Sequence, residues 1–188
     1  MESGGLGRFG QLLAVFALCG AMLTSLLVAP GLDGLLGGFL SATVIAIALV
    51  DARRYLIPNE LTAAVLALAL LRAATSPSIA EFHPVLSALA RGAITTAVFF
   101  LLSVSYRYLR GREGFGLGDV KLLGAAAVWL DWPALLIAIE GATLAALATY
   151  LLRQWIYKKP MKGTAILPFG AFLAPSIWVG WLVEVWLY

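Results

Sequence analysis

One cysteine and one histidine are all that this 188-residue chain offers toward disulfides or structural zinc sites. Cys19 alone closes no intrachain disulfide, and His83 alone founds no histidine or cysteine cluster, so neither a metal nor a cofactor is expected. Cys19 reads as a small packing residue. Charge is also scarce: only 12% of residues are Asp, Glu, Lys or Arg, about half the share in an ordinary soluble domain. No Ser/Pro/Gly-rich linker, charge block or low-complexity tract interrupts the chain, so nothing marks a second domain. Residues 1–188 read as a single integral membrane domain.

What fills the chain instead is hydrocarbon. Hydrophobic residues make up 62% of it, with a mean hydropathy of +0.94, a composition that belongs in a bilayer. A spanning helix needs roughly 20 apolar residues, and seven candidate segments cover 9–29, 35–50, 61–75, 85–109, 118–130, 134–152 and 167–187. The expected fold is therefore all-α: a polytopic membrane helix bundle of about seven transmembrane helices, with roughly six to eight compatible with the pattern. The first segment follows Arg8 and exceeds the core of a signal peptide, typically about 7 to 15 residues, so it is expected to remain in the protein.

Basic residues orient the bundle, because Lys and Arg concentrate in cytoplasmic loops. With Arg8 inside, alternation leaves only Arg72 and Arg91 of the 13 Lys and Arg residues outside. This predicts a multi-pass protein of the cytoplasmic (inner) membrane with its amino terminus in the cytoplasm and its carboxyl terminus outside. The basic loops then serve topology and attraction to anionic lipid rather than nucleic-acid binding.

Two carboxylates fall at the same edge of this bundle, Asp51 after the second apolar run and Asp119 at the head of the fifth. An ionisable group at membrane depth is a functional-site hypothesis by default. The run 35–50 has 16 residues, about 24 Å of helix against a hydrocarbon core of about 30 Å, which puts Asp51 near or just within the boundary. The run 118–130 spans about 20 Å by the same arithmetic, so Asp119 is recessed as well unless the membrane thins.

The turn before Asp119 carries Gly114, Gly116 and Gly118. It lacks the third glycine of a dinucleotide fingerprint, and no strand precedes it. Glycines there free the backbone to hold a carboxylate and admit an extended peptide; alone, they are equally a flexible loop with Asp119 capping a helix. After Asp51, Pro58 turns the chain and Asn59 is placed to cap the next helix.

In combination these features resemble the prepilin peptidases, the type IV leader peptidase family of GxGD intramembrane aspartyl proteases. The resemblance rests on Asp51 with Ile57-Pro58-Asn59 and Thr62, on Gly116-Leu117-Gly118-Asp119 with Lys121 and Leu122, and on Leu167-Pro168-Phe169-Gly170 leading Ala171-Phe172-Leu173. It implies that Asp51 and Asp119 are the catalytic pair. It also implies removal of a short basic leader from prepilin or pseudopilin-like membrane proteins at the cytoplasmic face. Gly116, Gly118, Lys121, Pro168, Phe169 and Gly170 are candidate substrate-binding residues. Longer members are similar in the protease core but carry a cysteine-containing cytoplasmic segment associated with methylation. Lacking that set, this chain looks like the compact, protease-only form, with no methyl transfer expected.

The chemistry also follows from the residue types. Amide hydrolysis by two carboxyl groups needs one ionised, to take a proton from water, and one protonated, to polarise the carbonyl and assist the leaving amine. Individual assignment of these roles to Asp51 and Asp119 is not justified. The alternatives are a proton- or ion-coupled transporter, against which no inverted repeat is visible, and a noncatalytic scaffold. Glu140, about 10 Å into the sixth span, reads as a structural or cavity group. Asp33, Asp131 and Glu184 read as solvated outer residues, and Lys121 as a charge partner for Asp119 or for substrate, or as a snorkelling side chain.

Cysteines substituted at Arg54, Arg112 and Lys159 are predicted to label from the cytoplasm, and one at Ala80 from outside. Labelling of positions 54 and 112 from opposite sides would put the two carboxylates on opposite membrane faces.

Overall fold

The computed structural model describes residues 4–75, 83–111, 116–157 and 168–187. Gly114 and Leu167 of the glycine and LPFG motifs, and the basic residues Arg112, Lys158, Lys159 and Lys162, lie outside them. Among the described residues there are seven helices and no strand: α1 (Gly4–Val28), α2 (Leu32–Arg54), α3 (Asn59–Thr75), α4 (Pro84–Arg110), α5 (Leu117–Trp129), α6 (Trp132–Tyr157) and α7 (Gly170–Leu187). Each apolar segment of the sequence corresponds to one of them. Four, namely α2, α4, α6 and α7, are long and apolar enough to cross a membrane.

The packing follows an arc in which α4, α5, α3, α2, α7 and α6 are successive neighbours, with α1 laid against α2. α5 is the short centre of this arrangement. From Leu122 to Trp129 every residue is buried, which suits a helix that is apolar on all sides. Its 13 residues reach only about 20 Å, so α5 is an internal helix held by its neighbours.

Small residues let these helices approach, as expected where lipid offers no hydrophobic drive to association. A side chain on Gly37 of α2 would run into the indole of Trp181 on α7, and one on Gly124 of α5 would strike the Thr96 hydroxyl of α4. Trp181 and Trp129 are both fully packed, meeting edge to face at 6.2 Å. Trp178 extends the α7 contacts to α1, donating its indole N–H to Ser25 Oγ at 2.9 Å.

The outer acids join an ion cluster in which Glu184 is largely buried, while Asp33 and Asp131 stay partly exposed. Arg72 on α3 donates to Asp33 of α2 at 2.8 Å, to Glu184 of α7 at 3.0 Å and to the Trp129 carbonyl ending α5 at 2.7 Å. Its guanidinium also lies 5.2 Å from the Trp129 ring centroid. Glu184 in turn accepts from the Asp131 amide at 3.1 Å. One planar cation therefore ties four helices, a task for which the five donors of arginine are suited. Other residues also depart from expectation. Glu140 does not pack inside; it is exposed on α6. Cys19 is a free, exposed thiol on α1 rather than a packing residue.

Arg72→Ala leaves two partly buried carboxylates without their cation, and is predicted to cost about 3 kcal/mol or more. A thermal-unfolding scan of the detergent-solubilised variant checks this; an unchanged midpoint would show the cluster to be incidental.

Candidate functional site

α2 does not stop at its apolar run. It continues one turn further, through Asp51 to Arg54, and ends at Tyr55 in the left-handed conformation (φ 54°, ψ 38°), whose amide bonds the Asp51 carbonyl at 2.8 Å. A left-handed residue is a common helix stop, although usually a glycine. Asp51 is thus inside the last turn of a helix rather than beyond it, and only 5% exposed. Tyr55 reverses the chain, Ile57 turns inward and is buried, and Pro58 starts α3 with its carbonyl accepting from the Thr62 amide and hydroxyl, both at 3.2 Å.

The buried Asp51 carboxylate meets the amino end of α7. The Ala171 amide donates to Asp51 Oδ2 at 2.8 Å. The amide is shared with the Pro168 carbonyl at 3.2 Å, and the contact brings the positive end of the helix dipole to an acid. Gly170 makes the approach possible: a Cβ there would lie 2.9 Å from Asp51 Oδ2 and 2.7 Å from Ile57 Cδ1. The preceding Pro168 and Phe169 form the turn into α7, with the Phe169 carbonyl accepting from the Leu173 amide at 2.9 Å. Gly170 and Ala171 thus hold Asp51, a role the sequence did not reveal for them.

Asp119 reaches the same place from α5. Gly116 is the residue before the helix, in extended conformation (φ −70°, ψ 139°), and Asp119 is the third residue within it. From there its carboxylate turns back to the Gly116 amide, the acid half of a capping box. This is a refinement of the capping expected for Asp119: it caps from inside the first turn. The half-buried Asp119 lies close enough to Asp51 for the two carboxylates to interact electrostatically.

Ile57 is the spacer that sets these pieces against one another, and sequence reading assigned it no part in the site beyond its motif. A Cβ at Gly118 would sit 3.3 Å from Ile57 Cβ, so the same side chain touches the glycine before Asp119 and the glycine that cradles Asp51. Within the chain Lys121 pairs with Asn59 rather than with Asp119. It is exposed, and its Nζ donates to Asn59 Oδ1 at 3.1 Å. Asn59 accordingly is occupied across the α3–α5 seam instead of capping α3. The structure therefore gathers Asp51, Asp119, Gly116, Gly118 and Gly170 at one end of the bundle, with Pro168 and Phe169 leading in and Lys121 at the rim. Among the described residues no three His, Cys, Asp or Glu side chains are grouped so as to hold a metal ion.

Two carboxyl groups in one half-enclosed site, one fixed by a helix amino end, can pass a proton between them and a third molecule. The model of the type IV leader peptidase family matches residues 38–151. A prepilin leader peptidase/N-methyltransferase of Dickeya chrysanthemi is 36% identical over 166 residues, covering 87% of this chain and 56% of that protein. Proteins of the same name from Aeromonas hydrophila and Burkholderia pseudomallei are 29% and 34% identical, over 85% and 89% of this chain and 52% and 45% of their own length. The chain thus spans about half the length of the curated relatives it matches. No solved structure matches it.

The cradle makes a graded prediction. Gly170→Ala puts a methyl against Asp51 and Ile57, and should reduce activity by about tenfold or more by displacing the carboxylate. Gly118→Val crowds Ile57 and should act in the same direction. The check is a cleavage assay paired with thermal unfolding. A folded Gly170→Ala protein of wild-type activity would contradict the assigned role.

Proposed function

Because the chain belongs to the type IV leader peptidase family, we propose that it is an aspartic endopeptidase of the inner membrane in which Asp51 and Asp119 are the catalytic pair. It removes the short basic leader of prepilin or pseudopilin-like proteins at the cytoplasmic face. The observation that carries this reading is the convergence of the two carboxylates, from the end of α2 and the start of α5, on one site with the amino end of α7.

Two like charges close together in a poorly solvated site do not both ionise cheaply, so the resting pair holds one proton between them. The ionised member draws a proton from a water as that water attacks the scissile carbonyl. The protonated member hydrogen-bonds the carbonyl oxygen and then supplies the proton that the departing amine needs. The Ala171 amide keeps the Asp51 carboxylate oriented throughout, so little reorganisation is left for the reacting step. Pro168 and Phe169 shape the entrance, and Gly116 and Gly118 leave room for an extended peptide beside Asp119. Lys121, already paired with Asn59 at the rim, steadies that edge. The concentration of both carboxylates at one end of the bundle favours a hydrolytic pair over an ion path.

Asp51→Asn and Asp119→Asn preserve side-chain size while removing the titrating group. Each is predicted to lower cleavage of a leader-bearing peptide by about a thousandfold or more, with the helical bundle retained by circular dichroism. Appreciable turnover by either purified variant would rule out the pair.

A further inference from the structure

A groove of about 670 Å³ runs between α3, α4 and α5, and nothing in the described chain fills it. Its lining follows helical periodicity on all three walls. α3 contributes Asn59, Thr62, Ala63 and Leu66, and α5 contributes Lys121, Gly124, Ala125 and Val128. Both sets are spaced i, i+3, i+4, i+7, which is one face of a helix. The α4 wall extends from Leu89 to Phe100. The groove is therefore an axial trough, about 10 Å long on α3 and α5 and about 16 Å on α4.

One end of the trough abuts the candidate site. Lys121 and Asn59, bonded to each other at its rim, stand two residues beyond Asp119 and Ile57. The rest of the lining asks for an apolar occupant. The Thr62 and Thr96 hydroxyls are spent on the Pro58 and Gly92 carbonyls of their own helices. The walls at Ala63, Ala93 and Ala97 are small yet exposed, so a second backbone can come close, as in helix–helix packing within membranes. An acyl chain has no need of such small walls.

We propose that this trough is the docking site for an apolar helix of the substrate, the segment that follows the scissile bond, entering sideways from the lipid. The proposal rests on the reading of Asp51 and Asp119 as a peptidase pair and adds where the substrate is gripped. A helix seated there starts at the carboxylates and runs away from them along α5, so the cleaved bond is fixed by where the helix begins.

The test reconstitutes the whole protein in phosphatidylethanolamine/phosphatidylglycerol vesicles with two synthetic peptides. Both carry a short basic leader; one continues into roughly 20 apolar residues, and the other stops after the first few. Photoreactive p-benzoylphenylalanine replaces Phe100 in the trough or Leu144 on the outward face of α6. Position 100 should cross-link the long peptide, and position 144 should not. The double substitution Ala93→Leu, Ala97→Leu should raise KM for the long peptide about tenfold, change kcat little, and lower its kcat/KM relative to the short peptide. Cross-links from position 100 to lipid alone, or a KM for the long peptide left unchanged by the double substitution when the wild-type protein does cleave it, would overturn the docking site. Failure of the wild-type protein to cleave either peptide would instead overturn the peptidase reading beneath it.

Discussion

A carboxylate buried among apolar helices needs donors, and Asp51 obtains one from the Ala171 amide at the start of α7. That bond constrains much of what surrounds it. α7 has to begin where α2 ends, so the two helices lie side by side. The residue before Ala171 is a glycine, and a Cβ in its place would push against the Asp51 carboxylate and Ile57. Ile57 has to turn inward to close the same pocket, which the reversal at Tyr55 and the start of α3 at Pro58 allow. Asp119 then arrives against this assembly on a helix whose own first turn holds it through the Gly116 amide.

The opposite end of the bundle shows a different solution to the same cost. There Arg72 supplies the donors, and Asp33, Glu184 and the end of α5 gather around it. Its carboxylates are paired with a cation, and their contribution is structural. At the candidate site Asp51 has a backbone amide and a neighbouring acid but no ion pair among the described residues. This is the arrangement in which a carboxyl group keeps its proton chemistry available. The outer cluster holds the helices together, while the inner one is the pair proposed to act on a substrate.

The helices were legible because each apolar run is long relative to any alternative element, and because Pro58, Pro84 and the glycine turn punctuate them. The ends were less so. The chain carries α2 past Val50 into a polar last turn, DARR, since a helix that ends at a membrane edge need not end with its apolar residues. Asp51 and Asp119 stood out by their cost in hydrocarbon. Gly170 and Ala171 did not reveal their role, because an amide donor carries no side-chain signature and the contact joins residues 120 positions apart. The outer ion cluster was missed for the same reason: Arg72, Asp33 and Glu184 are far apart in sequence, and each alone looks like a helix end facing water. Proximity along α5 suggested Asp119 as one partner for Lys121, while the fold offers it Asn59 from α3.

The central claim is that two carboxylates act as one proton-sharing unit. The pH dependence of kcat/KM for a single leader-bearing peptide tests it most directly, using the reconstituted wild-type protein over a range in which its helical signal is constant. The account predicts a bell: activity falls on the acid side as the pair gains a second proton and on the alkaline side as it loses the shared one. A profile with one limb only, or none, would contradict it.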